Sequence, residues 1–528
     1  MDWFLIAVTV VGFIILLVIN VYLIVLYQHP DDKNEALLPK ILILIGFTIA
    51  QGSVLLLPLD VANNEGYAGC SSGFDTDSCG GLNMNLLWEI IYITILVYVT
   101  FFIPFAIFYY EADDGMGNSG ESMFCGALKY EILVLIASTL TLVLMYSYLG
   151  TTNIPVTTYT AAVASHTSWT ISAGSWSDTS NPPPFAALDT ADFNNAGGTL
   201  PGVEEVISML VTFPIYVMAL LGFVGWFFFV FFAGVGLASL PVDLICSYVY
   251  RPRHMDAIEF AEAQLSVRTR VNELIEIGEL LKRERVTKAE SSLGYWANRR
   301  SNKNDRQTVN KFKQAVFMLE NDVEELKLCH ENYASYNPLV PIFQLFLGLI
   351  SMILSLLWIL QICLFILPSP PLTPFLNDYF EWFDTWFSLF GVISVAVFSM
   401  YLQACVVKGC FKFGVRFFFI TLHPMKVNGT YMNSFLFNLG LILLCSLPVV
   451  QFSTIAFSDY ARFTNVNQIF GVQIKYLQFF SYFWTTNAFI YAILGMAVLS
   501  SVYLMCKPRD TPADPMKLKE NLKMNRRR

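Results

Sequence analysis

Charge is scarce in this sequence. Charged residues make up 14% of the chain, against roughly 25% in a soluble domain. Too few are present to solvate a soluble globule of 528 residues. The net charge is −9, and the one sizeable polar segment, 249–337, sets 14 acidic residues against its 15 basic ones; it is not a nucleic-acid arm, and no nucleic-acid partner is expected. The ten cysteines show no CxxC or His/Cys ligand spacing, which gives no support for a zinc site. No metal or other cofactor is expected. Neither GxGD nor HExxH occurs, and no paired carboxylates fall in adjacent apolar runs. The expectation is therefore a protein without catalytic residues, not an enzyme.

What is present is apolar length. Hydrophobic residues make up 55% of the chain, and mean hydropathy is +0.54. Nine runs stand out, at 3–27, 38–60, 84–110, 129–149, 206–240, 338–367, 385–410, 430–457 and 480–506. Each can cross a hydrocarbon core of about 30 Å as a helix. The runs are too long for barrel strands, and only helices or closed barrels satisfy their backbone in lipid. The fold class is all-α, a polytopic protein of the lipid bilayer. The first run follows Met1-Asp2-Trp3 with no basic n-region, so it reads as a retained signal-anchor helix rather than a cleaved signal peptide.

Lys and Arg give the orientation. With the N-terminus outside or luminal, the inner segments hold 30 of the 32 basic residues: two in 28–40, Lys129, 15 in 249–337, four in 408–428 and eight after Cys506. The outer segments hold only Arg462 and Lys475, and 150–205 has none across 56 residues. This asymmetry predicts a cytosolic C-terminus. Four parts follow. Residues 1–248 carry five spans with outer loops 61–83 and 150–205. Residues 249–337 form a cytosolic helical hairpin, 338–506 carry four spans, and 507–528 are a basic tail. In the hairpin, Val309, Phe312, Val316, Leu319, Val323 and Leu326 follow the 3-4 spacing of a coiled-coil seam. Val267, Val271, Leu274 and Leu281 form a shorter stripe upstream. The connection ESSLGYWANRRSNKND between them suits two antiparallel helices, packed on each other, docked on a partner, or both.

Two apolar runs end on Leu-Pro-x-Asp: Leu57-Pro58-Leu59-Asp60 and Leu240-Pro241-Val242-Asp243. One reading is a helix exit, with Pro58 and Pro241 near the helix ends and Asp60 and Asp243 in the wet interface. The other is a pair of inverted-repeat half-sites. Ionisable groups inside spans are functional candidates; Glu89 lies one turn into the third run. Asn433 and Asn438, like Asn20 and Asn487, either join helices by hydrogen bonds worth about 1 kcal/mol or line a polar pathway. His423 lies in an aromatic and basic inner loop suited to lipid headgroups. There it is structural, a proton switch or a ligand. Cys70 and Cys79 bracket an outer loop, where an oxidising compartment favours a disulfide. The run 206–245 is too long for one straight crossing and predicts a tilted or broken helix.

YQHPDD (27–32), LPLDVANN (57–64), FFIPFAIFYYEADD (101–114), GVGLASLPVDLI (234–245), PPLTPFLND (370–378) and FFITLHPMKVNGTYMNSFLFNLGLILLCS (418–446) resemble the lipocalin-interacting membrane receptor family, also called the limb-region-1-like family. The resemblance is to its plant and protist branch and covers nearly the whole chain. It implies nine spans, an outer N-terminus, and placement in the plasma membrane or an endomembrane (lysosome, vacuole or Golgi). It implies a multi-pass receptor or transport-accessory escort, with an ABC-type transporter or a soluble outer ligand as partner; the apolar seam makes the 249–337 hairpin the expected docking part for a protein partner. The alternative it implies is a carrier for a small solute, on the analogy of cobalamin export. No catalytic or ligand-binding residue carries over.

Overall fold

A computed structural model describes residues 3–29, 37–65, 83–111, 120–158, 203–251, 256–290, single positions between 312 and 329, 339–387, 389–412, 416–417, 420–421, 425 and 430–506. Cys70, Cys79 and His423 lie outside the described residues. Among the described residues nine helices are long and apolar enough to cross a membrane. They are α1 (Trp3–Tyr27), α2 (Leu37–Glu65), α3 and α4 (Met84–Val97 and Ile103–Glu111, joined by a π-turn), α5 (Gly120–Leu149), α6 (Phe213–Val249), α8 (Leu339–Gln361, continued by a π-turn), α10 (Phe390–Lys412), α11 (Met432–Ala456) and α14 (Ala488–Cys506). Between α6 and α8 lies α7 (Ala257–Glu290), and shorter helices are α9 (Leu376–Asp384), α12 (Asn465–Gln468) and α13 (Phe480–Thr485). The protein is an all-α polytopic membrane protein.

Two spans start later than expected. The fifth helix starts at Phe213, because Val203–Leu210 form a strand, β2. This strand pairs antiparallel with β1 (Thr151–Thr158) in one unbroken register, Thr151 opposite Leu210 and Thr158 opposite Val203. The β-branched residues of Thr-Thr-Asn-Ile-Pro-Val-Thr-Thr and Val-Glu-Glu-Val-Ile suit a pleated ribbon better than a helix. The ninth span starts at Ala488, since α13 ends at Thr485 and Asn487 takes φ 50°. The fifth helix is α-helical from Phe213 to Val249, so of the two expected forms, tilted or broken, it is not the broken one.

The chain divides into two compact units, Met1–Phe232 with Leu360–Ile493, and Ala233–Ile359 with Leu494–Arg528. In the first, α11 is the core helix, buried along most of its length. Small residues let backbones approach it. A Cβ on Gly225 of α6 would run into the Leu444 carbonyl, and one on Gly409 of α10 into the Phe232 carbonyl. Amides then lock helices in pairs. Asn20 of α1 and Gln51 of α2 exchange two hydrogen bonds of 2.9 Å, and Trp226 Nε1 of α6 donates to Gln451 Oε1 of α11 at 2.8 Å. Thr430 and the stretch after α1 also join: His29 N donates to Thr430 O, and the His29 ring stacks on Tyr431.

In the second unit, Leu274 and Ile277 of α7 form a buried cluster with Ala315, and Phe312, Val316 and Leu319 pack against it. Arg270 and Asp322 pair at 3.1 Å on the exposed side. Apolar positions of the seam thus meet the upstream stripe. Ile258, Leu265 and Ile275 of α7 remain exposed.

Candidate functional site

The Leu-Pro-x-Asp sequences do not end their helices. Pro58 lies inside α2, which continues to Glu65, and Pro241 lies inside α6, which continues to Val249. Asp60 is 0% exposed, so it does not stand in a wet interface. A carboxylate this deep needs partners, and it has three. Trp88 Nε1 donates to Oδ2 at 3.0 Å, Val466 N to Oδ2 at 2.9 Å and Asn465 N to Oδ1 at 3.4 Å. The last two are N–H groups in the first turn of α12, a place that favours negative charge. Thr464 Oγ1 accepts from the next, Asn467 N, at 3.3 Å. Asp60 and Thr464 together cap this helix start. Asp243 belongs to the other unit and is half-buried.

The capped helix leads into a π-turn, Ile469–Ile474, which forms one wall of a cavity of about 680 Å³. All its lining residues lie in the first unit. A second π-turn, Ile362–Ile366, supplies Phe365 and Ile366 to the lining. Gln451 of α11 and Asn467 and Asn487 add amides; Phe470, Tyr476, Phe483, Trp484 and Phe489 add rings. The charged lining residues are Asp459 and Lys475. π-Turns and left-handed non-glycine residues are costly and concentrate at functional positions. Here two π-turns and Asn487 at φ 50° border one cavity, with Phe479 at φ 72° adjoining α13.

The walls are tied to distant parts of the chain. From Asp60, Trp88 stacks on Tyr92 with ring centroids 5.7 Å apart, and Tyr92 meets Phe470 edge-on at 6.0 Å. On the rim, Asn153 N donates to Tyr476 O at 3.1 Å and Gln478 N to Thr151 O at 3.0 Å. The stem of the 150–205 loop is therefore fastened to the segment that carries Lys475. Behind the cavity, Gln361 Nε2 and Asn377 Nδ2 both donate to Ala456 O, at 2.7 and 3.4 Å. Tyr460 N donates to Asn377 Oδ1, and Tyr460 Oη to Asp384 Oδ2 at 2.6 Å.

Among the sequence candidates, Asp60 supports this cavity and Asn487 lines it. Asn438 is buried away from its lining, where it accepts from Cys410 Sγ at 3.9 Å. Glu89 and Asn433 are half-buried and are not among the lining residues. Gln361, Asn377, Gln451, Trp226 and Trp484 were not singled out in the sequence. Polar residues within apolar runs were the signal, and the glutamines and tryptophans carried it as well as the asparagines did. Glu131 of α5 is a further buried carboxylate, with no hydrogen-bond partner on either oxygen among the described residues.

The model of the LMBR1-like membrane protein family matches residues 5–315 and 266–502. A LIMR family protein of Dictyostelium discoideum is 34% identical over 514 residues, covering 94% of this chain and 95% of the relative. LIMR family proteins of Oryza sativa subsp. japonica and Arabidopsis thaliana are each 34% identical, with the same coverage of both chains. No solved structure matches the chain. With the matched regions running from the first helix to the last, the chain belongs to the LMBR1-like, or LIMR, family of membrane proteins.

Proposed function

We propose that this protein is a non-catalytic membrane receptor or transport escort, which takes a ligand into the cavity bordered by the two π-turns. The observation that carries this reading is that two of the three described π-turns and the left-handed Asn487 border one cavity. The mixed lining, mostly rings with a few amides and two charges, is the composition of a small-molecule site. The 249–337 segment serves as the docking part for a protein partner, an ABC-type transporter by family analogy; a soluble outer ligand would bind on the opposite side of the membrane. Ile258, Leu265 and Ile275 offer the exposed apolar positions for the docking. The test is purification of the full chain in mild detergent followed by native mass spectrometry, for the natural sequence and for Ser458→Trp, which fills the cavity. A bound small molecule, lost in the variant while the protein stays inserted, is the expected result. Identical spectra for both proteins would refute the reading.

A carrier is the second reading, and one observation favours it. Ser399 Oγ and both amide atoms of Gln403, one turn apart on α10, are buried without a hydrogen-bond partner among the described residues. A solute path would use such groups. Solute movement by the purified protein alone in liposomes would favour this reading over the escort.

The charge asymmetry supports an outer or luminal N-terminus and a cytosolic C-terminus, in the plasma membrane or an endomembrane. Protease added to sealed right-side-out vesicles should leave the LKRER stretch (281–285) uncut until the vesicles are permeabilised. Cleavage without permeabilisation would reverse the orientation.

A further inference from the structure

We infer that the cavity takes a small zwitterion with a ring or short apolar body, its cation towards Asp459 and its anion towards Lys475. This names the ligand class of the receptor reading above and rests on it. The cavity offers one charge of each sign, and Asp459 and Lys475 are both exposed. Neither forms an ion pair with a described residue. A simple anion would be attracted by Lys475 and repelled by Asp459; a simple cation would meet the reverse. A neutral compound would strip water from both without return. A zwitterion alone matches both charges, and the mismatch with singly charged compounds is itself a source of specificity.

Both charges stand on fixed wall. Lys475 lies between Gln473 and Tyr476, whose carbonyls accept from Thr152 Oγ1 and Asn153 N. Its ammonium lies 5.7 Å from the centroid of the Tyr476 ring. Asp459 precedes Tyr460, which is held at its N–H by Asn377 and at its hydroxyl by Asp384. The Trp484 indole N–H is buried and has no acceptor among the described residues. An orphan donor in the lining of a cavity is costly unless a ligand completes it, and a carboxylate or phosphate has a second oxygen to do so. The rings of Phe365, Phe470 and Phe489 supply the apolar surface for the body of the compound.

A free amino-acid-like solute and a zwitterionic phospholipid headgroup share this chemistry. The full-length protein in a non-ionic detergent would be titrated with L-phenylalanine, phenethylamine, 3-phenylpropionate and monomeric dihexanoylphosphatidylcholine, followed by tryptophan fluorescence. One zwitterion should bind at least about fivefold more tightly than either singly charged compound, the loss that one partly hydrated charge pair carries. Phenylalanine as the tighter of the two zwitterions points to a free solute, and the phosphatidylcholine to a lipid. Asp459→Lys should shift preference to phenylpropionate, and Lys475→Glu to phenethylamine. Equal or tighter binding of a singly charged compound, indifferent to these substitutions, overturns the zwitterion but leaves a receptor cavity in place. No binding by any of the four also overturns it. The receptor reading falls separately, on the unchanged native mass spectrum of Ser458→Trp.

Discussion

Asp60→Leu is expected to lower the stability of the first unit by on the order of 3–5 kcal/mol, since it strands three buried donors and removes a helix cap. The donors are the Trp88 indole N–H and the backbone N–H groups of Asn465 and Val466. Asp60→Asn keeps one acceptor oxygen, but its amide N–H₂ faces groups that can only donate. Its loss should be roughly half as large. The thermal midpoint of the detergent-purified full chain measures both. The effect should reach the cavity too, because α12 and the π-turn after it carry Asn467, Phe470 and Gly471 into the lining. Both variants should therefore bind cavity probes more weakly than their midpoints alone explain. A midpoint for Asp60→Leu equal to that of the natural sequence would show that the carboxylate anchors nothing.

Asp60 also shows how much of the site the sequence could disclose. A carboxylate among leucines at the end of an apolar run was visible in LPLDVANN. Its role was not, because its backbone partners lie 405 and 406 positions away. The wet-interface expectation treated the end of a hydropathy run as the end of a helix. The helix continues through Asn64 and Glu65, since helical hydrogen bonding does not stop where side chains turn polar. Nine spans were legible because each has an apolar length only a membrane explains. The starts of the fifth and ninth were misplaced because a strand and a short helix were apolar enough to extend those runs. The cavity was not legible at all. Its lining comes from the π-turn after α8, the ends of α11 and α14, α13 and the segments between them, and no local pattern brings such segments together.

Gly225→Leu is expected to be as damaging as any change to Asp60, for a different reason. The α6 backbone passes so close to α11 that a Cβ at this position meets the Leu444 carbonyl, which a rotamer change cannot clear. Overpacking against side chains costs typically 1–3 kcal/mol; against a backbone carbonyl of the core helix the cost should sit at or above the top of that range. The helices must part, and the consequence runs straight to the cavity. Trp226, the next residue, donates to Gln451 at 2.8 Å, stacks on Phe489 at 5.3 Å and meets Trp484 edge-on at 5.1 Å. Gln451, Phe489 and Trp484 all line the cavity. Trp226→Phe keeps the helices in place but removes the indole hydrogen bond and part of a fully buried ring, so it should cost about 1–3 kcal/mol and leave ligand binding within a few-fold of normal. Gly225→Leu should lose both midpoint and binding. If the two variants behave alike, the close approach of α6 to α11 is not what shapes the cavity, and the hydrogen bond alone carries the coupling.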